Sequence, residues 1–171
     1  MRNIITGLLL TLMSTVGWGE MDNSMFTAAS NINATKVEIT LLFTALLSVF
    51  LIILSFRVLD LRGSPVTKWL HGADRRVEPE TLERAIRGHG NLIEYAPMFL
   101  LLMLCLELRG IPQEQLLLAG TLFTLGRLMH GIVFSFMRPQ PLMRIGGMAL
   151  TFAGFFALIG SAVAALLANS T

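Results

Sequence analysis

Arg84, Arg87, Asn91 and Glu94 recur at spacings of three, four and three residues within RAIRGHGNLIEYAP, a stretch that runs directly into the apolar MFLLLMLCL. On an α-helix those spacings bring all four side chains onto one face. Two guanidinium groups supply forked donors for carboxylate or phosphate, an amide both donates and accepts, and a carboxylate can receive an ammonium. Charged groups at the edge of hydrocarbon cost roughly 2.5–3.5 kcal/mol each even on lenient insertion scales, so they turn toward a bundle interior or a wet cavity. Pro97 removes the amide that would bond the carbonyl of Ile93, a break of the kind that often lines a cavity.

A second set follows the same logic. In GRLMHGIVF, Arg127, His130 and Phe134 stand at i, i+3 and i+7; Arg144 opens the last long apolar stretch and Arg57 closes the first. With each apolar stretch crossing a bilayer, these residues reach the depth of the Arg84–Glu94 face, and four helices deliver polar groups to one layer. Arginines outnumber acids there, which favours an anionic ligand. Structural uses compete with binding. Arg57, Arg62, Arg84 and Arg138 can snorkel to lipid phosphates, Arg87 and Glu94 can pair, and Arg127 with His130 can cap a helix end. Asn91 can bridge two helices and Tyr95 can sit at the membrane interface. A metal site is not expected: the single Cys105 reads as a small buried residue, and His71, His89 and His130 are dispersed.

The elements that must hold these residues are legible from hydropathy. With 54% hydrophobic and 14% charged residues and a mean hydropathy of +0.68, the 171-residue chain is far more apolar than a soluble domain, where charged residues are about 25%. Val37–Phe56, Leu92–Leu108, Leu116–Phe136 and Ile145–Leu167 are each near the ~20 residues needed to span a bilayer. The expected fold is all-α: one four-helix transmembrane bundle over residues 37–168, with Gly120, Gly126, Gly146, Gly147, Gly154 and Gly160 permitting close helix packing. Residues 1–19 have the layout of a signal peptide, with an extra N-terminal helix as the alternative, and residues 20–36 are polar. Of 13 Lys and Arg, seven (Arg57, Arg62, Lys68, Arg75, Arg76, Arg84, Arg87) lie between spans one and two and three (Arg127, Arg138, Arg144) flank the link between spans three and four. The positive-inside rule therefore places loops one and three in the cytoplasm and both termini outside. Nucleic acid is not an expected partner, because no polar domain presents a binding face.

The pattern RxHxNxxEYxP over Arg87–Pro97, followed by GRLMH and an arginine opening the last helix, resembles the MAPEG family, the membrane-associated proteins in eicosanoid and glutathione metabolism, and especially its small bacterial branch. The resemblance covers residues 38–167 and implies a homotrimer in a bacterial inner membrane, with glutathione bound in cytoplasmic-side clefts between subunits. Carried over by position, Arg87, Asn91, Glu94 and Tyr95 match glutathione-binding residues, His89 a variable neighbour, and His130 a His or Tyr site; Arg127 is grouped with them. Arg144 matches the arginine that supports the glutathione thiolate and is the expected catalytic residue.

The implied activity is conjugation or reduction of lipophilic electrophiles by glutathione acting as co-substrate. A non-catalytic membrane binding or scaffold protein of the same fold is the alternative. Expected partners are further copies of the chain, glutathione, a lipophilic small molecule and membrane lipid. Phe134 stands where some relatives carry tyrosine, and Gly90 where one prostaglandin-forming member carries arginine, so eicosanoid chemistry is not implied.

Overall fold

The computed structural model describes residues 37–63, 65, 78–138 and 140–168. The signal-like segment 1–19, the polar segment 20–36, Lys68, His71, Arg75 and Arg76 lie outside the described residues. The described residues form four long helices: α1 Glu38–Leu61, α2 Pro79–Leu108, α3 Gln113–Phe136 and α4 Pro141–Ala168. All four are long and apolar enough to cross a membrane. Each expected span falls on one observed helix, but α1 runs on past Phe56 to Leu61, α3 begins at Gln113 rather than Leu116, and α2 and α4 also begin earlier than expected. Helix α2 begins at Pro79, well before Leu92, because its first turns carry Glu80, Glu83, Arg84 and Arg87 and escape a hydropathy reading; the proline at its first position suits a helix start. Helix α4 begins at Pro141, which puts Arg144 inside its first turns.

Each helix packs antiparallel to the one before it. Helix α3 touches all three others and α1 makes no close approach to α4. The α2–α3 turn is a Schellman motif. Gly110, at φ 75°, donates its amide to Glu107 O (3.0 Å), and Ile111 N reaches back to Leu106 O (3.1 Å). At the same end of the bundle the buried Glu107 carboxylate accepts the amides of Ile39 and Thr40, both at 2.8 Å. Helix α1 has no side-chain cap of its own, so a carboxylate from α2 satisfies two of its orphan donors.

Ile39, Phe43, Leu47, Phe50 and Leu54 form the buried stripe of α1, facing Leu92, Phe99 and Met103 of α2 and Leu116 and Phe123 of α3. Phe99 and Phe123 stack at 3.8 Å between centroids, with Phe155 of α4 edge-on to both. Helices α3 and α4 meet backbone to backbone: a Cβ at Gly126 would lie 2.6 Å from Gly147 O, and one at Gly147 2.9 Å from Gly126 O. Two expected packing glycines have no such role. Gly160 has open space beside it and Gly146 only ordinary contact with Met129. Cys105 points outward and is not buried, since it lies off the α2 stripe that faces α1 and α3.

Candidate functional site

The C-terminal end of α3 has no basic residue in its last turn, and its free carbonyls carry partial negative charge. Arginines from two other helices meet it. Arg57 Nε donates to Ser135 O at 3.1 Å, and Arg84 Nη2 donates to Val133 O at 2.9 Å and Met137 O at 2.6 Å. Arg57 also pairs with Asp60 at 3.1 Å. Both residues thus serve the α3 terminus.

One level deeper lies Arg127, only 2% exposed. Its Nε and Nη2 donate to Thr151 Oγ1 at 3.0 and 2.7 Å, its Nη2 approaches Met148 Sδ at 3.3 Å, and its Nη1 donates to Asn91 Oδ1. The Thr151 hydroxyl in turn donates a hydrogen bond to Gly147 O at 2.8 Å. The guanidinium lies 4.9 Å from the centre of the Tyr95 ring. Arg127 therefore joins α2, α3 and α4, fixes the Asn91 amide, and does not cap α3.

Above it opens a cavity of about 630 Å³ whose walls include Arg87, Asn91, Glu94, His130, Phe134, Arg144 and Met148. Six residues singled out in the sequence, Arg87, Asn91, Glu94, His130, Phe134 and Arg144, converge there from three helices. His130 is buried and its Nδ1 has no partner; its ring stacks on Phe134 at 4.7 Å. Arg144 lies 6.0 Å from the Phe134 centroid. Arg87 pairs with Glu83 on its own helix, both largely exposed, so it does not pair with Glu94. Tyr95 is not among the lining residues: its ring packs against Phe152 and Phe155 at 6.3 and 6.4 Å. His89 faces α1 through Ser55, 2.9 Å away.

A second cavity, about 450 Å³, shares Arg87, Phe134 and Arg144 and adds Arg84, Val133, Gln140, Pro141 and Ile145. Met148 and Thr151 were not anticipated. Their spacing from Arg144, i+4 and i+7, places the three on one helical face and is the signal that could have found them.

The family model described as MAPEG matches residues 40–164. The chain belongs to the MAPEG family. It is also 43% identical over 49 residues to the inner membrane protein YecN from two strains of Escherichia coli, a match covering 29% of this chain and 37% of the relative's length. No solved structure matches. The MAPEG bundle and its four spans make this a multi-pass integral membrane protein.

Proposed function

We propose that this MAPEG protein binds glutathione in the larger cavity and uses its thiolate against lipophilic electrophiles, as a transferase or peroxidase. The observation that carries the reading is the set of polar side chains collected there: Arg87, Arg144, Asn91, Glu94 and His130. Glutathione presents two carboxylates, an ammonium, two peptide groups and a thiol. Arginines suit the carboxylates, Glu94 suits the ammonium, and Asn91 and His130 suit the peptide groups. Glu94 has an exposed side chain at membrane depth, a costly placement that a cationic ligand group or a neighbouring subunit would relieve. Assembly as a homotrimer, the cytoplasmic placement of the cavity and the bacterial inner membrane belong to the same proposal.

Arg144 is the proposed catalytic residue. It lines the cavity against Phe134, which offers no hydroxyl, so a fixed guanidinium charge at the start of α4 is what holds the sulfur as thiolate. In the transferase reaction the thiolate attacks an electrophilic carbon, a C–S bond forms, and the leaving group departs with the bonding pair; in the peroxidase reaction it attacks a peroxide oxygen, the O–O bond breaks to release the alcohol, and a second glutathione displaces water from the sulfenic acid to give the disulfide.

Calorimetry with glutathione on the purified full chain, joined to thiolate absorbance and turnover of an aryl halide, tests the reading. Charge-assisted hydrogen bonds are worth roughly 1.5–3 kcal/mol, so Arg87→Ala should weaken binding about ten-fold or more. Arg144→Ala should abolish most thiolate signal and turnover with a smaller effect on affinity, and Arg144→Lys should recover part of both. Unchanged affinity in a folded Arg87→Ala protein sinks the binding site. Binding without thiolate signal or turnover in the wild type moves the protein to the non-catalytic alternative.

A further inference from the structure

The two cavities differ in chemistry although they share a wall. The larger contains an acid, Glu94. Among the described residues the smaller has Arg84, Arg87, Arg144 and Gln140 as its polar groups and no carboxylate, with Val133, Phe134, Pro141 and Ile145 as apolar sides. Of the three guanidinium groups only Arg87 has an acid partner among the described residues, Glu83, so the guanidinium groups of Arg84 and Arg144 with the Gln140 amide suit a ligand whose head is an anion and carries no ammonium.

The depth of this cavity narrows the ligand further. Beside the arginines, Leu142 and Ile145 on the first turns of α4 are 86% and 65% exposed on the single chain, an apolar surface suited to hydrocarbon. Acyl chains therefore reach this level, and the phosphate layer begins where the guanidinium groups stand. Arg84 is also pre-positioned: only its Nη2 is used, on the α3 carbonyls of Val133 and Met137, so the group is anchored with donors to spare. Ordering entropy at binding is correspondingly small.

We propose that this smaller cavity is a binding site for the phosphate of an anionic phospholipid, with one acyl chain running along Ile145 and Leu142. A zwitterionic lipid is disfavoured because nothing lining the cavity receives its ammonium; Glu83, the nearby acid, is paired with Arg87. The cavity shares Arg87 and Arg144 with the proposed glutathione site, whereas Arg84 and Gln140 line this cavity alone and are the residues that report on it.

The test is native mass spectrometry of the full chain in a non-ionic detergent, titrated with dioleoyl-phosphatidylglycerol or dioleoyl-phosphatidylcholine. An arginine beside a lipid phosphate contributes about a five-fold preference, so phosphatidylglycerol should be retained more than ten-fold better than phosphatidylcholine. Arg84→Gln should lower that preference about five-fold. Because Arg84 also caps α3, Gln140→Glu is the second variant: it disturbs no α3 carbonyl, places a negative charge in the cavity, and should lower retention of phosphatidylglycerol while leaving that of phosphatidylcholine unchanged. Equal retention of the two lipids by the wild type overturns the proposal, as does wild-type preference in the Gln140→Glu protein. Displacement of phosphatidylglycerol by millimolar inorganic phosphate makes the cavity a site for free anions and overturns the lipid assignment; displacement by oleate but not by phosphate makes it a fatty-acid site and also overturns it.

Discussion

At the scale of single residues, the organising group is Arg127. A guanidinium inside a bundle is tolerated only when its donors are satisfied, and here Thr151 and Asn91 satisfy them while aromatic faces of Tyr95 and Phe123 lie 4.9 and 5.9 Å away. Thr151 is the informative place to intervene. Thr151→Val keeps the shape and removes the oxygen, which leaves two donors of a buried charge facing a methyl group. The expected cost is about 1–3 kcal/mol, seen as a melting temperature lowered by several degrees in detergent. Thr151→Ser retains the hydroxyl and should melt near the wild type. Equal behaviour of the two variants would show that packing, not hydrogen bonding, sets this site. The arginine itself stands out in the sequence because it interrupts an apolar helix; its partner does not, because a threonine in a membrane span has many uses and only the fold brings Thr151 under Arg127.

At the scale of elements, the two ends of the bundle solve the same problem with opposite charges. Arg57 and Arg84 meet the carbonyls that end α3, whereas Glu107 meets the amides that begin α1. These are helix caps supplied from a neighbouring helix, so each also fixes the register of two helices. Glu107→Gln leaves one acceptor for two amides and sets an NH₂ against a backbone donor. It should destabilise the bundle by about 1–2 kcal/mol, and Glu107→Ala should do so by more, both read from thermal unfolding followed by helical circular dichroism. A melting temperature unchanged in both would remove the capping role. The four spans themselves were legible because lipid demands continuous apolar runs. The first turns of α2 were less so, being polar where the site is built, and the role of Glu107 was invisible because its partners are 67 and 68 residues away in the chain. Likewise, the arginines Arg57 and Arg84 could be placed at one level from the sequence, but not assigned to the α3 terminus.

At the scale of the whole molecule, the MAPEG bundle is polar at one end and nearly free of basic residues at the other. Among the described residues, Arg57, Arg62, Arg84, Arg87, Arg138 and Arg144 gather at the end where α1 and α3 finish, and Arg109 is the one basic residue at the other, beside the α2–α3 turn. This asymmetry is what the positive-inside rule reads, and the rule predicts a cytoplasmic placement for both candidate cavities. Since Cys105 is the only cysteine and is exposed, a Cys105→Ala background allows single reporters. Gln140→Cys marks the arginine-rich end and Gln113→Cys, at the first position of α3, marks the other. In intact bacterial cells an impermeant maleimide should label the Gln113→Cys protein and spare the Gln140→Cys protein, which should become reactive only after the inner membrane is opened. The reverse pattern would place the cavities outside, away from the cytoplasmic pool of a soluble thiol such as glutathione, and would count against the proposed chemistry as well as the orientation. Labelling of both reporters in intact cells would mean two orientations coexist, an outcome the strong bias of arginines toward one end argues against.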